Sequence, residues 1–80
     1  MNLRPSDFSK TAQDWLFSGN FALLKGDRAE AERCYRNSIQ LNPNGYRAVN
    51  ELGNLLYERQ NLTEARASYV RAIELCPDYC

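Results

Sequence analysis

Residues 19–43 read GNFALLKGDRAEAERCYRNSIQLNP, and residues 53–77 read GNLLYERQNLTEARASYVRAIELCP. Laid over one another, they agree at Gly19 and Gly53, Ala31 and Ala65, Tyr35 and Tyr69, Ile39 and Ile73, Leu41 and Leu75, and Pro43 and Pro77. Each pair is 34 residues apart. A period of roughly 20–50 residues marks a repeat architecture, in which each unit buries its apolar face only by stacking on its neighbour. The offset relates almost the whole chain to itself, so the fold is read unit by unit.

Each unit reads as two helices. Phe8, Ala12, Trp15, Gly19 and Ala22 fall on one helical face, at spacings of four, seven, eleven and fourteen from the first. Ser6 follows Pro5 and is a suitable N-cap, which predicts a first helix from about Asp7 to Lys25. Gly26-Asp27 breaks it. Asp27 with Glu30 resembles a capping box for a second helix bearing Ala31, Tyr35, Ser38 and Ile39 on one face, and Pro43 stops that helix. Asn44 or Gly45 opens a third helix, which buries Val49, Leu52, Gly53, Leu56 and Tyr57. Asn61 with Glu64 caps a fourth, with Ala65, Tyr69, Ala72 and Ile73 inward and Pro77 as its stop. No segment alternates with period two, so no strand is expected. The mid-helix glycines each cost about 1 kcal/mol against alanine. That cost is tolerated where a partner helix comes close, with Ala31 and Ala65 as the expected facing residues and Tyr35 and Tyr69 as knobs between helices. Trp15 lies on the Phe8–Gly19 face, which assigns it to the core.

The chain has 80 residues, ten basic and ten acidic side chains and no histidine. A domain of this size buries about 60–65% of its unfolded surface, so its stability is marginal. The charges are balanced and interspersed, which argues against nucleic acid or anionic lipid as partner. No apolar run approaches the roughly 18 residues of a membrane span, and the start MNLRPSDFSK lacks the apolar stretch of a secretory signal. Without histidine there is no Ser-His or Cys-His pair, and the four glycines are too dispersed for a phosphate loop. No catalytic residue, metal or cofactor is expected. The three cysteines are an odd number, which suits a reducing, cytoplasmic location. Cys76 and Cys80 flank Pro77 without the further ligands zinc needs or the spacing of a redox motif, and read as ordinary small residues. Cys34 reads as buried and inert.

The two units resemble tetratricopeptide repeats, whose pattern is W-x2-L-G-x2-Y, then A-x3-F, then P. The first unit gives Trp15-x2-Ser18-Gly19-x2-Ala22, Ala31-x3-Tyr35 and Pro43. The second gives Val49-x2-Leu52-Gly53-x2-Leu56, Ala65-x3-Tyr69 and Pro77. The resemblance implies an all-α fold of about four helices, antiparallel helix-turn-helix repeats stacked as a short right-handed α-solenoid. Residues 1–11 are then an N-terminal extension, 12–45 the first repeat and 46–79 the second.

The resemblance also implies a concave groove, lined mainly by the first helix of each repeat, that holds an extended peptide. Its positions here are Gln13, Leu16, Asn20, Leu23 and Leu24, then Arg47, Asn50, Glu51, Asn54 and Tyr57. Asn20 and Asn50 fall where chaperone-binding members place two asparagines of a carboxylate clamp, while Leu16 stands where that clamp has lysine. An asparagine amide both donates and accepts, so it matches peptide backbone. In this register Cys80 opens a third unit. The last helix then offers an uncapped face with Tyr69, Ala72 and Ile73. Either the chain is the N-terminal part of a longer array, or two copies form a homodimer through that helix. The expected function is a protein–protein interaction module. The alternatives are a docking or oligomerisation arm of a multidomain enzyme, such as a glycosyltransferase or methyltransferase, and a self-assembling structural unit.

Overall fold

Thr11 starts the first helix, later than the spacing from Phe8 suggests. Its backbone is extended (φ −86, ψ 171) and its hydroxyl accepts from the Asp14 N–H at 3.2 Å. Asp14 returns the bond, accepting from the Thr11 N–H at 3.0 Å. This reciprocal cap satisfies two N–H groups that would otherwise end the helix unpaired. It rules out one continuous helix from Asp7, because Thr11 is not helical. The computed structural model describes residues 10–76; Ser6, Phe8, Pro77, Tyr79 and Cys80 lie outside them.

Four helices follow: α1 (Ala12–Leu24), α2 (Arg28–Leu41), α3 (Tyr46–Glu58) and α4 (Leu62–Leu75), with no strand among the described residues. Every boundary of α3 and α4 lies 34 residues after its counterpart in α1 and α2. The helices form two hairpins, α1 on α2 and α3 on α4, and α2 packs on α3 to join them.

The two hairpin turns share one backbone design. Gly26 N–H bonds the Leu23 carbonyl at 2.9 Å and Asp27 N–H bonds that of Ala22 at 2.8 Å. Gln60 and Asn61 repeat this on Tyr57 and Leu56, both at 2.9 Å. This is the Schellman closure, which needs a left-handed residue after the helix. Gly26 takes it at φ 82, and Gln60, its counterpart, at φ 63. The starts of the next helices differ. Asp27 accepts from the Glu30 N–H at 3.1 Å. Asn61 makes no such cap; its amide donates to the Glu64 carboxylate at 2.9 Å instead.

Tyr35, fully buried, is the centre of the core together with Ala22, Ala31, Leu52, Leu55, Leu56 and Ala65. The nearest atoms facing Gly19 belong to the Tyr35 ring, so this ring, and not Ala31, is why the position is glycine. Gly53 likewise faces Tyr69 and Ser68 rather than Ala65. Trp15 is buried, with the Lys10 ammonium 4.2 Å and the Arg33 guanidinium 5.3 Å from its ring centroid, within cation–π range. Ser38 is also buried, and its hydroxyl donates to the Ala12 carbonyl at 2.7 Å. That bond ties α2 to the start of α1.

Ion pairs lace the hairpins together. Arg28 meets Glu58 at 2.8 Å, Arg59 meets Glu32, and Arg36 meets Glu64 at 3.2 Å; within α2, Arg36 also meets Glu32 at 3.0 Å. Burial raises the Glu32 carboxyl, but the bonds from Arg36 and Arg59 outweigh it and hold the group below its ordinary value.

Three expectations about side chains change. Tyr57 is exposed rather than part of the α3 core. Ala72 is buried within its own hairpin and Tyr69 is half-buried, so the open face of α4 consists of Leu62, Val70 and Ile73. Cys76 is not an ordinary small residue: it is buried and disulfide-bonded. Cys34 is a buried free thiol.

Candidate binding groove

The α1 and α3 helices supply the surface that their partners α2 and α4 leave uncovered. Their inward residues, Trp15, Gly19 and Ala22 on α1 and Val49, Leu52, Gly53 and Leu56 on α3, are consumed by packing. The next face round each helix runs along the seam between α1 and α3. Two clefts open there. One, of about 330 Å³, lies between the N-terminal halves and is lined by Gln13, Leu16, Phe17, Tyr46 and Arg47, with Asn42 beside them. The other, of about 470 Å³, is lined by Leu23, Glu51, Asn54, Tyr57 and Tyr69, with Arg28 and Glu58 at its edge.

These clefts bring together Gln13, Leu16 and Arg47 in one group and Leu23, Glu51, Asn54 and Tyr57 in another. Asn50, exposed on α3, and Leu24, exposed at the end of α1, line neither cleft. Asn20 lines neither cleft as well, and is half-buried between them along α1.

Asn20 and Asn54 have a partner that periodicity does not reveal. The Tyr35 hydroxyl donates to Asn20 Oδ1 at 2.6 Å, and the Tyr69 hydroxyl donates to Asn54 Oδ1 at 2.6 Å. Both pairs are 15 residues apart and related by the repeat offset. Burial pushes the Tyr35 phenol up to about 12, with the negative charge of Glu51 and then Cys34 adding to it. Tyr69 is also raised, by burial first and then by Tyr57, Glu51 and Glu58. Both phenols therefore keep their protons near neutral pH and act as donors. Each asparagine has its carbonyl oxygen occupied from below. Asn54 also donates to Glu51 at 3.0 Å. The Asn20 amide N–H groups are left to meet a ligand or water. The signal that could have found this bond was the shared offset of the two Asn–Tyr pairs.

The groove is otherwise mixed in charge. Arg47 stands by the first cleft, with its Nε donating to the Tyr46 hydroxyl at 3.4 Å. Glu51 and Glu58 stand by the second. Among the described residues, no group of three or more acidic or cysteine side chains is placed to hold a metal ion, and no helix is long and apolar enough to cross a membrane.

Comparison with known proteins bears on the repeat fold. A family profile described as tetratricopeptide repeat matches residues 19–79. The human protein O-mannosyl-transferase TMTC1 is 30% identical over 78 residues, which is 98% of this chain and 9% of that protein. The chain thus spans about a tenth of the length of this relative.

Proposed function

The chain belongs to the tetratricopeptide repeat family, and from that premise we propose that it is a protein-interaction module holding an extended peptide or partner segment along the α1–α3 seam. Repeats of this family are non-catalytic, so recognition rather than chemistry is what the groove offers. The observation that supports the reading is the pair of tyrosine–asparagine bonds. They fix Asn20 and Asn54 at equivalent places on successive repeats, each held in one orientation before any ligand arrives. Preorganised amides of this kind lose little side-chain entropy when they bind a peptide backbone. Apolar contact comes from Leu16, Leu23 and Tyr57, and Arg47 and Glu51 give the two clefts opposite signs. Balanced charge favours a protein ligand over nucleic acid or membrane.

The test is binding of a peptide array to the wild-type chain and to Arg47→Ala with Asn54→Ala, one exposed residue from each cleft. Loss of most peptide signals, with the melting temperature little changed, supports the groove. Unchanged binding moves the site elsewhere.

The identity with a protein O-mannosyl-transferase favours a second reading, in which these repeats form a docking arm of a larger glycosyltransferase. In that case the same groove presents a protein substrate to a catalytic domain elsewhere in the chain. The disulfide at Cys76 bears on location. Disulfides persist in oxidising compartments, so it weighs against the cytoplasmic placement suggested by the cysteine count.

A further inference from the structure

Five of the eight large apolar side chains that stand exposed lie at the two ends of the described helical stack. Phe21 and Leu24 are on the outer side of α1, and Leu62, Val70 and Ile73 are on the outer side of α4. None of the five lines either groove cleft, and the repeat offset shows how the positions of Phe21 and Ile73 look when they are covered.

Leu55, the counterpart of Phe21, is 2% exposed where α3 meets α2, whereas Phe21 is 59% exposed. Ile39, the counterpart of Ile73, packs against the core, whereas Ile73 is 64% exposed. The joint between α2 and α3 is therefore a template for what would cover both ends. Its edge is held by the Arg28–Glu58 ion pair. At the open ends the same two positions are Leu62 and Leu24. Both members of the pair have become leucine, so a charged contact inside the chain corresponds to an apolar contact between its ends.

We propose that copies of this chain associate end to end, with the outer face of α1 in one copy seated on the outer face of α4 in the next, repeating the α2–α3 joint. The association is heterologous, because the two faces differ. It involves a different surface from the peptide groove and does not depend on the groove reading. One position opposes it: the Arg59–Glu32 pair corresponds to Lys25 and Arg66, two like charges. Association should therefore strengthen as salt screens them, the reverse of an ion-pair-driven contact.

Sedimentation velocity on the full chain over a wide concentration range tests this. The wild type is expected to form concentration-dependent oligomers that grow with added salt. Leu24→Glu alone and Leu62→Glu alone should each weaken association by about tenfold or more, since each removes a buried leucine contact. Each variant keeps one intact end. An equimolar mixture should therefore form a single wild-type joint and stop at a one-to-one pair. Phe21→Gln and Ile73→Gln, on the same two faces, must give the same pattern, and circular dichroism checks that all four variants fold. A wild type that stays monomeric overturns the proposal. So does a dimer that Leu62→Glu abolishes and Leu24→Glu leaves intact, which would mean α4 packing on α4. Failure of the mixture to pair overturns it as well.

Discussion

The Tyr35 ring covers Gly19 so closely that a Cβ on that residue would lie 2.5 Å from Cε1. Alanine would gain about 1 kcal/mol in helix propensity. Overpacking a core typically costs about 1–3 kcal/mol, and here the ring cannot move aside, being fully buried and anchored through its hydroxyl. Gly19→Ala is therefore expected to destabilise the fold by about 1–2 kcal/mol. At Gly53 the corresponding approach to Tyr69 is 3.0 Å, and that ring is half-buried. Gly53→Ala should be close to neutral. Thermal melts of the two variants check the contrast, and equal losses would refute it.

Gln60 occupies the left-handed turn position that Gly26 fills in the first hairpin. That conformation costs a residue with a Cβ about 1–2 kcal/mol. Glycine removes the strain but adds unfolded-state freedom worth about 0.5–1 kcal/mol. Gln60→Gly should thus stabilise the protein by about 0.5–1 kcal/mol, measured by urea denaturation. A destabilised variant would mean that the Gln60 side chain contributes more than its backbone loses.

Alkaline pH should weaken the fold through Tyr35. Its phenol is raised to about 12, above the ordinary value near 10. A raised group stabilises the folded state below the unfolded pKa, and that stability is lost as pH climbs through the folded value. Stability should hold up to about pH 10 and fall between there and about 12. Tyr35→Phe should lose about 1 kcal/mol near neutrality, for the missing hydrogen bond, and show a shallower alkaline decline. An unchanged alkaline slope would place the titration on another group.

Cys34 should be slow to react. Burial raises its thiol, and the nearby Glu30 carboxylate raises it further, so little thiolate forms near neutral pH. A thiol reagent should label it slowly in the native protein and rapidly in denaturant. Fast native labelling would show that α2 opens readily.

The 34-residue offset was enough to locate four helices, both mid-helix glycines and the tryptophan in the core. Helix starts were less legible. The spacing from Phe8 to Ala12 continues a helical face, yet the Thr11–Asp14 cap starts α1 at Ala12, and a reciprocal cap outweighs apolar periodicity. On α4, Ala72 and Ile73 are adjacent and were assigned to one open face. The helix turns by about 100° per residue, and one of them goes inward while the other goes out. The Asn–Tyr bonds were hidden for another reason: periodicity gives the side of a helix but not which hydroxyl reaches which amide. The disulfide at Cys76 runs against the odd count of cysteines, which suits a reducing location.

Arg36 reaches from α2 to Glu64 on α4, while Arg59 and Glu58 reach back from the end of α3 to α2. Much of the polar contact between the hairpins is therefore exposed and screenable, while each hairpin keeps its own tyrosine-on-glycine packing. In a linear array, the sharpness of melting depends on nearest-neighbour coupling. Added salt should therefore lower cooperativity slightly, while the core that Tyr35 shares with Leu52, Leu55 and Leu56 keeps the two hairpins melting in one transition.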